Sequence, residues 1–328
     1  MSAKNHINNI SSHNGTEKRT SCVVLRYQRI ALLSYDILQT AVQPYLFESQ
    51  MEYLAGNCNL ISIHELIDHL RENRKFEKNS VAVTFDGGYS DIYYTAKKVL
   101  EDYQIPVTVF AHTANISGET EKFWWDELED LIVANTDRQN LDIRIEGENY
   151  SFSLVNQHSR FYAYEKLYEL LKDMSPEQQK DIIEQIKEQL EFKPAEVDNH
   201  RLMDKNEISK LSKNQLFSIG GHGHSGATIY SIEKEKKNEE IIKNKRILEK
   251  VTDSEIEYFS YPLHRYLTRQ ENEETQQILK DCGFKAAFGH NYGVVTCEEL
   301  DYLFDIPRIK AGNFHPFTFY QLFERFFG

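Results

Sequence analysis

The segment from Val81 to Phe110 constrains the fold more than any other stretch of this 328-residue chain. Val81-Ala82-Val83-Thr84-Phe85 is apolar and largely β-branched, which suits a strand buried on both faces, and it stops at Asp86-Gly87-Gly88. From Asp91 to Tyr103 the apolar spacing turns helical, and Ile105-Pro106-Val107-Thr108-Val109-Phe110 opens another strand. Strand, polar turn, helix and strand in this order predict a βαβ unit of a parallel sheet.

The same rhythm recurs on either side. Strands are expected at Cys22–Tyr27, Leu216–Gly220, Tyr258–Tyr261, Phe284–Phe288 and Phe304–Ile309. Helices are expected at about 46–55, 63–71, 232–248 and 275–281, the last stopped by Gly283 at its C′ position. Roughly seven strands alternating with helices predict an α/β fold, either a barrel or an open parallel sheet. The middle is different. Phe123 to Ala134 is an amphipathic helix carrying Trp124 and Trp125, and 141–155 alternates like a hairpin around Gly147. A helix over 159–172 follows. Ser175-Pro176-Glu177-Gln178 then supplies an N-cap, a first-turn proline and a third-position Gln for a helix to about Leu190. Asp204 with Glu207 repeats that box. We read 118–203 as a mostly helical insertion within a single domain over 21–328, with 1–20 a polar, flexible tail.

Charge narrows the function. Asp and Glu total 51 against 38 Lys and Arg, and the net charge of -13 disfavours nucleic-acid partners. No apolar run approaches the ~18 residues of a transmembrane span. Cys22, Cys58, Cys282 and Cys297 show no CxxC spacing, and the first twenty residues lack a signal-peptide core, so a cytoplasmic location is expected.

In parallel α/β folds the carboxyl ends of the strands carry function. Here those ends hold Arg26, Gln28, Asp86, His112, His222, His224, Tyr261, His264, His290 and Arg308. Asp86 follows a buried strand and precedes two glycines that let a ligand approach the backbone. A carboxylate there suits a general base, and an Asp that merely closes a turn would sit there too.

These residues carry a family resemblance. Thr84-Phe85-Asp86-Gly87-Gly88-Tyr89-Ser90-Asp91 resembles the first signature of the polysaccharide deacetylases, the NodB-homology or carbohydrate esterase 4 family. Val24–Ile30 looks like that family's opening strand, Ile219-Gly220-Gly221-His222 its second signature and Phe259-Ser260-Tyr261-Pro262 its third. Ile306-Pro307-Arg308-Ile309 looks like its late Pro-Arg element, and Phe123-Trp124-Trp125-Asp126 resembles an insertion of members linked to surface polysaccharides. The resemblance implies an irregular (β/α)7-type barrel, Asp86 as catalytic base, and a metal held by an Asp after that base and two His four positions apart. In this chain those positions are Gly87, His222 and Gly226, so two of three ligands are lost. The first strand ends Tyr27-Gln28 where the family has Tyr-His, and His264 replaces a usual Gly.

Three readings follow. A relocated centre would use His222, His224, His112 and His290 to hold one divalent transition metal, Zn or similar. A metal-free site would pair Asp86 with an imidazole such as His264 as general acid. A pseudoenzyme would bind a saccharide without turnover or serve as a scaffold protein. In the catalytic readings Arg308 orients a carboxylate or phosphate of the substrate, and Gln28, Tyr89, Tyr261 and Trp124 contact it. The expected partner is a saccharide or sugar derivative, most simply an acylated amino sugar whose amide or ester is hydrolysed.

Overall fold

A computed structural model describes residues 21–134, 137–191, 200–229, 232–262, 269–297 and 303–327. The main sheet runs, in spatial order, through Ala286–Phe288, Tyr258–Ser260, Phe217–Gly221, Val107–Ala111, Ser80–Gly87 and Ser21–Tyr27. Every neighbouring pair along that path is parallel, and Ile309–Lys310 adds a seventh parallel strand beside Ser21–Tyr27. Val295–Thr296 pairs antiparallel with the start of Ser21–Tyr27, and the short Asn59–Leu60 lies against Ser80–Val81. The result is the irregular, open half-barrel of the (β/α)7 kind that the sequence predicts.

Several local predictions are met residue by residue. Ser175 and Asp204 cap the helices Pro176–Leu190 and Lys205–Ser212 through full capping boxes, and the helix Ile63–Arg71 has one at Ser62 that was not expected. Gly283 takes a positive φ of 82° just past the helix Arg269–Asp281. The hairpin is Asn140–Ile145 with Glu148–Ser153, turning on Glu146-Gly147.

Three predictions differ. Phe123–Ala134 is not one α-helix, because the α-helix Trp124–Glu129 runs into a π-helical turn at Asp130–Ala134. The segment Asp91–Tyr103 is not one α-helix, because a π-helical turn at Ile92–Ala96 precedes the α-helix Lys97–Asp102. Phe304–Ile309 is not a strand either: only a bridge at Ile306 and the pair Ile309–Lys310 are extended into the sheet. Pro307 lies between them and has no N–H to give a ladder.

The core divides. One cluster lines the sheet and its helices, from Val23 to Phe323. A second gathers Tyr89 with apolar residues between Phe123 and Leu202, including Leu128, Ile143, Leu167 and Ile186. Glycines hold the sheet tight where the strands end. A Cβ on Gly220 would lie 2.4 Å from the Phe110 ring, and one on Gly221 would lie 2.7 Å from Asn244 Oδ1. The expected tail over 1–20 lies outside the described residues, of which no helix is long and apolar enough to cross a membrane.

Candidate functional site

The Ser80–Gly87 strand is buried throughout and delivers Asp86 to its carboxyl end. Arg308 meets it there. Its Nη1 donates to Asp86 Oδ1 and its Nη2 to Oδ2, both at 2.8 Å. The other donors go to Thr84 Oγ1 at 3.2 Å, Ser260 Oγ at 2.7 Å and the Gly289 carbonyl at 3.0 Å. All five guanidinium hydrogens thus have acceptors, and the Phe110 and Phe288 rings flank the group. Burial opposes ionisation of Asp86, but Arg308 outweighs it, with Arg26 adding to the effect, and holds the carboxyl well below the usual range.

A pocket of about 180 Å³ opens over this pair, lined by Asp86, Gly87, Arg26, Gln28, His112, His222, His290, Lys310, Trp125 and Tyr168 among others. His112 and His222 lie with ring centroids 4.4 Å apart. His222 Nδ1 faces the Ser260 carbonyl at 2.7 Å and His112 Nδ1 faces the Gly223 carbonyl at 3.2 Å. Carbonyls only accept, so each Nδ1 carries the proton and each Nε2 keeps its lone pair. Burial lowers both pKa values, His112 the further because His222 adds to it. Asn244, fully buried, receives the His222 backbone N–H and donates to the Ala111 carbonyl and Thr113 Oγ1, tying the strand ends together.

His290 and His224 are engaged elsewhere. His290 Nδ1 accepts from Arg26 Nη1 at 2.6 Å while its Nε2 donates to the Tyr261 carbonyl at 2.8 Å. Gly223 turns the chain through a positive φ of 78°, which breaks the alternation that would have put His222 and His224 on one face. His224 instead meets Thr113 Oγ1 at 2.8 Å and Glu119 Oε2 at 2.9 Å. The four-histidine centre is therefore not assembled. Among the described residues, the set of three metal-capable side chains that does converge is Asp126, Glu129 and His200, with ligand atoms within 4.8 Å of one another. These three could hold a divalent ion. Around them, Arg29 Nη1 lies 2.9 Å from His200 Nδ1, and Asp126 Oδ2 accepts from Tyr89 at 2.7 Å.

Other expected contacts are also displaced. Tyr89 is fully buried, its hydroxyl held between Asp126 and Trp125 Nε1 and its ring under Arg29. Tyr261 is buried with its hydroxyl on the Phe304 carbonyl. Trp125, not Trp124, lines the pocket, and Trp124 stacks on the pocket residue Tyr168. Arg308 has no hydrogen left for a substrate anion. His264 lies outside the described residues. Arg26 was placed at the rim from sequence without a specific role, and Lys310, Asn244 and the Asp126–Glu129–His200 set were not among the sequence candidates.

Gly87 and Gly226 stand beside the pocket with φ of 99° and 81°. A Cβ on Gly87 would lie 3.0 Å from Tyr89 Cε2, and one on Gly226 would lie 3.0 Å from Phe123 Cδ1. A larger cavity of about 370 Å³ opens at the opposite rim, around Val107, Phe217 and Tyr258. It lies at the amino ends of the strands, where parallel folds do not build their sites.

The fold and pocket thus define a parallel half-barrel protein with a polar site at its carboxyl rim. The chain matches the polysaccharide deacetylase family over residues 73–193 and 193–287. It belongs to that family. Among curated proteins it is 27% identical over 115 residues to a poly-beta-1,6-N-acetyl-D-glucosamine N-deacetylase of Staphylococcus aureus. It is 33% identical over 114 residues to the Staphylococcus epidermidis protein of that name. Each match covers 31% of this chain and 39% of the relative. Among solved structures, Streptococcus pyogenes deacetylase PplD in complex with acetate aligns with a TM-score of 0.60 at 15% identity, over 93% of this chain and 98% of that one. IcaB from Ammonifex degensii aligns with a TM-score of 0.56 at 16% identity, over 93% and 96%. These two likenesses concern the fold.

Proposed function

We propose that this protein is a carbohydrate-directed hydrolase that removes an acyl group from a sugar at the Asp86 pocket, by a route that bypasses its family's metal centre. The observation that carries this reading is the convergence of Asp86, His112 and His222 in one pocket at the carboxyl ends of the parallel strands. Family membership and the curated relatives, which are N-deacetylases of an acetylated glucosamine polymer, support a saccharide substrate.

The inherited metal does not fit the residues present. Of the three positions the family resemblance assigns to it, only His222 has a side chain able to ligate. The space beside Gly87 and Gly226 is taken by Tyr89, Phe123 and Trp125. Asp86 would take a proton from water as the water oxygen bonds to the acyl carbon. An imidazole, with His264 the sequence candidate, would protonate the departing oxygen or nitrogen. A carboxylate held so far below its usual range is a weak base. Without a Lewis acid, this favours a sugar ester over the less reactive amide. The proposed route predicts acid release from O-acetylated sugars that survives a chelator and falls ~10²–10⁴-fold in a folded Asp86→Asn variant. Turnover abolished by the chelator would sink it.

One observation favours a second reading. Both oxygens of Asp86 already lie in the Arg308 fork, the arrangement expected of a pocket that binds sugars without turning them over. Saccharide binding with no turnover of any ester or amide would establish that reading.

A further inference from the structure

The pocket carries more positive charge than its one carboxylate can balance. Asp86 is matched by Arg308, yet Arg26 and Lys310 also line the cavity. They are register partners on adjacent parallel strands, Ser21–Tyr27 and Ile309–Lys310, so two cations stand side by side at the same rim. Like charges in that position oppose folding unless something pairs with them.

Little does. Arg26 makes its hydrogen bond to a neutral acceptor, His290 Nδ1, and Asp86 is the nearest carboxylate at 3.9 Å. Lys310 Nζ lies 3.4 Å from the Leu38 carbonyl. The other nearby carboxylate, Asp36, is occupied by the Thr40 backbone and hydroxyl and by the Ala41 backbone. Burial lowers the Arg26 pKa only to about 10, so it remains charged at neutral pH. His290 fixes the guanidinium by presenting a lone pair, which leaves its remaining hydrogens for a ligand.

From this the geometry points to an oxyanion subsite: Arg26 and Lys310 receive a carboxylate or phosphate borne by the sugar, so the preferred ligand is an acidic saccharide rather than a neutral one. The inference rests on the saccharide reading of the same pocket, and it is independent of whether turnover occurs. Gln28 and Thr40 on the same lining supply neutral partners for sugar hydroxyls. Arg308, the cation that sequence assigned to this role, is replaced in it by two cations from neighbouring strands.

Calorimetric titration with D-glucuronate, D-glucose and inorganic phosphate tests the subsite, at low and at raised ionic strength. Glucuronate should bind more tightly than glucose, and the difference should shrink as salt rises. Arg26→Gln should weaken glucuronate binding on the order of tenfold to a hundredfold and leave glucose unchanged. Lys310→Met, at an exposed position, gives the same reading in smaller measure should Arg26→Gln fail to fold. Equal affinity for glucose and glucuronate overturns the acidic-sugar inference and leaves the saccharide reading standing. Phosphate binding that depends on Arg26, with no affinity for either sugar, keeps the oxyanion site and overturns the saccharide reading. No binding of any probe overturns both.

Discussion

Arg308 and Asp86 show how much one buried ion pair can organise. The guanidinium satisfies itself on a carboxylate, two hydroxyls and a carbonyl drawn from three separate stretches of chain. Removing one partner leaves the other charge buried and unpaired. Arg308→Met should therefore cost about 3–5 kcal/mol in urea unfolding, and Asp86→Asn added to it should recover part of that loss. Additive losses in the double variant would show that the pair is not the source. The two glycines make the opposite case. Restoring the family's ligand types by Gly87→Asp and Gly226→His places side chains at positive φ against packed rings. Each change should cost about 1–3 kcal/mol, and the double variant should gain no metal beyond what the parent protein carries, read by mass spectrometry. An additional ion per chain relative to the parent would mean that the pocket had kept the inherited geometry.

Elements join the second core to the sheet through a few polar anchors. The helix Trp124–Glu129 carries Trp125 to the pocket wall and Asp126 and Glu129 to the buried cluster with His200. Tyr89, just past the Asp86 strand, bonds both Trp125 and Asp126, so pocket and buried acidic cluster are linked by one hydroxyl. His200 closes the cluster. Burial works against its protonated form, but Asp126 and Asp130 outweigh that and raise its pKa. Arg29, anchored on Asp91 at 3.0 Å, already supplies a positive charge beside it. Neither charge favours a cation there, so a divalent metal held by Asp126, Glu129 and His200 has to displace the His200 proton, and it should be lost in His200→Gln and kept in His222→Gln. The reverse pattern, read by metal analysis, would move the metal to the pocket.

Across the whole molecule, stability should respond to acid in two stages. His112 and His290 are held neutral, with pKa values well below the ordinary ~6.5 that they regain on unfolding. For both, burial is the main cause, and for His290 the neighbouring Arg26 and Arg308 add to it. Below about pH 6.5 the unfolded chain binds protons that the folded one does not, so stability drops as pH falls from there. Asp86 has a depressed pKa, and its contribution is complete above its unfolded value of ~3.9 and is lost as pH falls towards its folded one. Urea midpoints should thus decline already between about pH 7 and 5, and His290→Asn should flatten that first stage. A flat profile down to about pH 5 would contradict the buried neutral histidines.

Local grammar settled much of this protein. Capping boxes at Ser175 and Asp204, the glycine after Asp281 and the apolar run before Asp86 act over a few residues, and each appears where the sequence puts it. Those signals fix the alternating strands and helices, hence the parallel half-barrel and the family. They also set Asp86 at a strand end and deny side chains to positions 87 and 226. The partners were decided by tertiary structure alone, because they meet across long loops whose closure no local pattern encodes. Arg308 lies 222 residues from Asp86 and His290 lies 264 from Arg26. Sequence could say that charged and imidazole groups gather at one rim. Which of them neutralise each other, and which charge is left facing the pocket, follows from strand register and from single turns such as the one at Gly223 that sends His224 away.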